Sequence, residues 1–319
     1  MSVNLYQVEW HMKATLTWII SLLTVVVCVA LIVIELSRSK SYSKATLYVI
    51  LIAVCGIFAT VTAQGTCLRE TVNPQFAPEW LYQLGKFAHT NYAVFLENFW
   101  PRSLDLLILS DTLNLYVLIC LPNKKDELLS KKALAAYFFV VVLVSGTFSG
   151  LATKMYHDWH NEDSLANIPL PDLLGLPKVS FNSVWIYDVI LKVVVSSLIG
   201  GFQIFCTLKI RVALDKAIAF LTKSNATTPA AAAYGKIRRF CFIICLTFGF
   251  FHFIVQFLEA GLTIVKEFVR SNEIAISSKT YAVFTALSFA QYVIKIVNCS
   301  RPLLYCAAYA WLRWRRADS

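Results

Sequence analysis

Charge is what this sequence lacks first. Only 15% of its 319 residues are Asp, Glu, Lys or Arg, while 58% are hydrophobic and the mean hydropathy is +0.62. A soluble domain carries about a quarter charged residues. The polar residues gather between long apolar runs, which excludes an ordinary water-soluble domain. Those runs also lack period-two alternation, which excludes the strands of a membrane barrel. There is no internal repeat, and no G-x-S-x-G, H-E-x-x-H, P-loop or Rossmann fingerprint, so an enzyme has no positive support. The cysteines make no disulfide framework. Cys28, Cys55, Cys120, Cys206, Cys241, Cys245, Cys299 and Cys306 fall in or at the inner ends of apolar runs, and only Cys67 is expected outside, with no visible partner. Buried thiols are usually small hydrophobes.

What is there is length of apolar run. A helix needs roughly 20 apolar residues to cross about 30 Å of hydrocarbon, and backbone in lipid must bond internally. Stretches at about 15–36, 45–65, 88–121, 133–152, 184–208, 238–262 and 280–305 meet that length. The expected fold is therefore an all-α membrane protein, a seven-transmembrane helix bundle. Thr15 to Leu36 is too long for a signal core and lacks a small-residue cleavage site, so it is expected to be retained. An odd number of spans weighs against the inverted repeats of many transporters.

The formal charge of +10 is a topology signal before anything else. With the N-terminus outside, the inner loops and tail carry seventeen Lys and Arg and the outer segments eight. The positive-inside rule thus orients the chain N-out and C-in. Contact with anionic lipid or an acidic partner is a weaker reading. The expected organisation is a short extracellular tail at 1–14, a transmembrane domain at 15–305, and an interfacial helix with a short cytoplasmic tail at 306–319. Tyr309 to Arg316 interleaves indoles with arginines, which suits an amphipathic helix at the inner interface. The outer segment from Thr153 to Ser183 is acidic and broken by Pro169, Pro171, Gly175 and Pro177, which argue for turns. Its His157, His160, Glu162 and Asp163 have the residue types of a metal cluster, but solvated side chains explain them more simply.

Three local patterns carry a resemblance. Tyr116 is followed six residues later by Pro122 and then a basic stretch; Arg301-Pro302-Leu303-Leu304-Tyr305 closes the last run, and Leu312-Arg313 follows it. With seven N-out helices and an interfacial helix, the chain resembles a rhodopsin-like G-protein-coupled receptor, in particular the nematode serpentine chemoreceptors and invertebrate orphan peptide receptors. That family has D-R-Y at the end of its third helix and N-P-x-x-Y in its seventh. Here the first reads Asn114-Leu115-Tyr116, and the second has Arg301 in place of its asparagine. The first-helix asparagine aligns with Cys28, the second-helix aspartate with Gly56, and the sixth-helix C-W-x-P region reads Thr247-Phe248-Gly249-Phe250. The sodium site and ordinary G-protein activation thus lose their usual residues. The resemblance implies a plasma-membrane receptor for a small polar ligand or short peptide, with a heterotrimeric G protein as inner partner and no cofactor. It assigns activation or structural roles to Asp111, Asn114, Leu115, Tyr116, Arg301, Pro302 and Tyr305.

An ionisable group at mid-membrane costs at least about 2.5–3.5 kcal/mol and normally finds a partner inside the bundle. The expected spans hold the acids Glu97, Asp105, Asp111 and Asp188 and the bases Arg102, Lys192, Lys295 and Arg301, an even match that suggests internal pairing. Glu97 lies nineteen residues before Tyr116, a position that faces the ligand pocket in the family. Lys295 lies seven residues before Pro302, where opsins hold their retinal lysine. A Glu97–Lys295 ion pair is the leading expectation, either static or competed by ligand; a retinal Schiff base on Lys295 is the alternative. Asp188 and Lys192 share a face at i, i+4, and Arg102 follows the potential kink at Pro101. Ligand contacts are expected at Glu97, Arg102, Asp188, Lys192 and Lys295. An Arg301–Asp111 pair is expected deeper, with Gly56 leaving room for the arginine. The rival class is an ion channel or transporter that uses the same charges as an ion path.

Overall fold

The computed structural model of the chain describes residues 5–38, 44–71, 91–160, 184–223, 229–250, 253–258, 260–261, 286, 289–290, 293, 296 and 300–312. Among them there is no strand. The helices are α1 (Leu5–Arg38), α2 (Lys44–Thr71), α3 (Asn91–Cys120), the single turn α4 (Lys125–Leu128), α5 (Lys131–His160), α6 (Val184–Lys223), α7 (Pro229–Ile244) and α8 (300–312). A 3-10 turn at Pro122–Lys124 precedes α4, and α7 passes directly into a π-helical segment, Cys245–Phe250.

Among the described residues five helices are long and apolar enough to cross a membrane: Leu16–Ser37, Tyr92–Cys120, Lys132–Lys154, Val193–Lys223 and Ala231–Leu258. A shorter apolar stretch, Thr46–Thr62, lies within α2. The five coincide with five of the seven expected spans, the shorter stretch falls at the second, and the last expected span lies mostly outside the described residues.

The face that α1 buries shows how such a helix differs from a soluble one. Thr17, Ser21, Thr24, Cys28, Leu31 and Glu35 recur every three or four residues and are all buried. Leu22, Leu23, Val26, Val29 and Val33 cover the opposite, exposed side. In water that polarity would be inverted. A contiguous apolar exterior of this kind belongs against lipid. Several of the inward hydroxyls are satisfied locally. Thr24, Thr60, Thr112 and Ser149 each donate to the carbonyl four residues back, at 2.7–3.0 Å.

α3 sits at the centre, packed on α2, α5 and α6, while α1 packs on α2 and α6 on α7. α8 joins the main core through Tyr305, Cys306, Ala308 and Tyr309, beside Cys28, Ile52, Ile108, Phe240 and Phe248. It is one uninterrupted helix from 300 to 312, with no break at the expected boundary after Tyr305. α5 likewise continues to His160, past the expected start of the outer loop at Thr153.

One end of the bundle collects the basic residues. Ile210, Leu214 and Cys241 pack against Leu115, Tyr116, Ile119 and Cys120, which sets the second half of α6 and the body of α7 beside the end of α3. Lys124, Lys125, Lys209, Arg211, Lys216, Lys236, Arg238 and Arg239 follow from that arrangement. At this end Arg238 donates to Asp215 at 2.5 Å, with Arg211 3.8 Å away on the other side of the carboxylate.

Candidate functional site

The polar contacts that matter lie between α3 and α8. Asp105 and Arg301 are both buried, and the Arg301 guanidinium donates to the Asp105 carboxylate. The same guanidinium lies over the Phe248 ring, 5.0 Å from its centroid, so the π-helical segment closes the other face of the charge. Phe248 belongs to that π-helical turn, a rare element within α-helices. Its ring meets Tyr305 edge-on at 6.1 Å.

Four residues after Arg301, the Tyr305 hydroxyl donates to Asp111 Oδ2 at 2.7 Å. Phe240 packs edge-on against Tyr305 and Tyr309, fixing the tyrosine ring from the α7 side. The two polar contacts run in the same order along both helices, 105 to 301 and 111 to 305. α3 and α8 therefore run in the same direction here.

This differs from the expected Arg301–Asp111 pair. Asp105 takes the arginine, and Asp111 takes the tyrosine. The expected room for Arg301 beside Gly56 is filled as well. A Cβ built on Gly56 would stand 2.7 Å from Pro302 Cβ and 3.5 Å from Cys28 Sγ. Gly56 thus lets the proline of α8 seat against α2, and the arginine turns to α3 instead. Cys28 and Cys306 touch alongside, sulfur to sulfur at 3.7 Å.

Of the other expected residues, Glu97 and Arg102 are half-buried on α3, which runs through Pro101 without a break. Tyr116 packs in the cluster with Ile210, Leu214 and Cys241, and Leu115 borders it. The side chains of Asp188 and Lys192, and all of Lys295, lie outside the described residues, so the Glu97–Lys295 pair does too. His157 and His160 are likewise outside the described side chains, and among the described residues no three His, Cys, Asp or Glu could share a metal ion.

No family model and no curated protein matches the chain. Elsewhere the structure buries residues that a count of charges in apolar runs passed over. Glu35 is 2% exposed on α1, and Tyr48, Gln203 and Phe248 are each fully buried. The signal for Glu35 was present, a lone acid in Ile34-Glu35-Leu36 at the end of a long apolar run. Tyr48 and Gln203 carry no charge and read as ordinary members of their runs.

Proposed function

We propose that the chain is a seven-helix plasma-membrane receptor of the rhodopsin-like type, with its N-terminus outside. It binds a small polar ligand or short peptide from the outer side. It signals to a heterotrimeric G protein through the basic inner end. The observation that carries this reading is the paired connection of α3 to α8, Arg301 to Asp105 and Tyr305 to Asp111. These contacts occupy the two elements on which the resemblance to the receptor family also falls. A pair of buried polar contacts at neighbouring depths supports a two-state bundle, since the helices cannot slide past each other without exchanging both sets of partners. A ligand stabilises the second state only by binding it more tightly than the first.

The test needs no ligand. Basal G-protein activation is compared for the wild type and Tyr305→Phe at matched surface expression, across the Gα classes. The substitution removes one hydroxyl and leaves the ring packing in place, so basal activity is expected to rise severalfold. Unchanged activity in every class, with a transmembrane current that Asp105→Glu or Asp111→Asn alters, would replace the receptor reading by a channel.

A further inference from the structure

Beside the foot of α3 the bundle contains a cavity of about 300 Å³, formed where α2, α3, the α4 turn and the start of α5 meet. Its base is polar. Tyr48, Asp111 and Asn114 line it there, and Tyr48 is 1% exposed. The Tyr48 hydroxyl faces Asn114 without a well-formed hydrogen bond. Buried polar groups are rarely left in that condition unless water or a ligand completes them. Its walls are aliphatic, from Leu115 and Leu118 on α3, Leu129 after α4, and Leu134 on α5. At the mouth stand Lys125 and Asp126, both exposed.

The charges decide what fits. Lys125 and Asp126 offset one another at the rim. Asp111 at the base accepts one hydrogen bond, from Tyr305 to Oδ2. A carboxylate has about four lone-pair sites, so one bond leaves it short of saturation. The space is thus acidic at its base and greasy along its walls, within an otherwise basic end of the molecule. At about 300 Å³ it sits at the lower limit of pockets that hold small organic ligands.

We propose that this cavity is a binding site for a small amphipathic cation, an ammonium group on a short aliphatic or aromatic body. The ammonium donates to Asp111 and Asn114, and the Tyr48 hydroxyl takes part in the same network. The body lies along Leu115, Leu129 and Leu134. The site opens at the basic end, so its ligand enters from that side of the bundle and not from the expected outer pocket near Glu97. The inference stands apart from the receptor reading, because the cavity, its charges and its walls are the same whether or not the chain couples to a G protein.

The test uses the purified full-length chain in detergent, with 4-fluorobenzylammonium and 4-fluorobenzyl alcohol as probes and fluorine NMR as readout, against empty micelles. Saturable binding of the ammonium is expected, at least tenfold tighter than that of the alcohol. Leu129→Trp fills the cavity and is expected to weaken ammonium binding at least tenfold. Leu198→Trp, on the exposed side of α6, is expected to leave it unchanged. Equal binding of the two probes to the wild type would overturn the charge requirement, and no variant is needed for that comparison. No saturable binding would mean that the cavity holds water only. If Leu129→Trp does not fold, Asn114→Leu, which removes a polar group at the base, takes its place. Undiminished affinity in whichever variant folds would place the ligand elsewhere and end the proposal.

Discussion

At the scale of single residues, the molecule depends on how each buried charge is answered. Asp105→Asn would leave the Arg301 guanidinium in the bundle interior without its counter-charge. Removing one member of a buried pair costs about 3–5 kcal/mol, whereas replacing both members is often neutral. Asp105→Asn is therefore expected to lower the unfolding temperature in detergent and the yield at the cell surface, and Asp105→Asn with Arg301→Gln to recover most of both. An equal loss in the single and double variants would show that the pair contributes nothing as a pair. Gly56→Ala tests the neighbouring contact. Its Cβ meets Pro302 Cβ at 2.7 Å, and neither atom belongs to a flexible side-chain end. Overpacking of this kind costs about 1–3 kcal/mol, measurable in the same unfolding assay. The presence of these charges was legible in the sequence, but their pairing was not. Asp105 and Asp111 are six residues apart, hence roughly 120° apart around a helix of 3.6 residues per turn. Hydropathy reports depth and says nothing of azimuth. Which acid meets Arg301 was decided by Pro302 seating on Gly56, a contact between two residues that carry no charge signal at all.

At the scale of elements, small residues set how closely α6 and the π-helical segment after α7 approach. A Cβ on Gly249 would stand 2.8 Å from Ile204 Cγ1, and one on Gly200 would stand 3.3 Å from the Gly249 carbonyl oxygen. Small residues at helix contacts in lipid permit this approach, because the helices gain by packing instead of by expelling water. Gly249→Ala is expected to destabilise by about 1–3 kcal/mol, and Ile204→Ala to absorb much of that loss when combined with it. A double-mutant cycle measures the coupling, and additive losses would refute direct contact. Gly146→Ala is the control. Nothing lies within 4 Å of its Cβ, and alanine is the better helix former by up to about 1 kcal/mol. The helices themselves were legible, since long apolar runs leave the backbone no other way to bond in lipid. Their ends were less so. α5 runs on to His160 and α6 to Lys223 because helical bonding continues into polar sequence once a span has started it. The π segment was not legible, as no residue type marks it, and yet it places Phe248 over Arg301.

At the scale of the whole molecule, direction of travel links the buried site to topology. The contacts 105 to 301 and 111 to 305 fall in the same order, so α3 and α8 run in the same direction. Two spans that run the same way need an odd number of spans between them. The spans at Lys132–Lys154, Val193–Lys223 and Ala231–Leu258 make three. On the proposed seven-span reading α1 and α2 both cross ahead of α3, which puts the N-terminus on the side opposite to the foot of α3. The basic residues gather at that foot, and the side that retains positive loops is the cytoplasm. Charge and contact order are independent, and both are compatible with the proposed arrangement. An epitope tag before Met1 is therefore expected to be labelled by antibody on intact cells. A tag after Ser319 is expected to need permeabilisation. Labelling of both tags on intact cells would break the parity. It would mean that α8 does not end a span parallel to α3, and the receptor reading would fall with it. Labelling of the C-terminal tag alone on intact cells would place the N-terminus inside, and with it the basic end outside. That would remove the inner docking surface on which the proposed signalling depends.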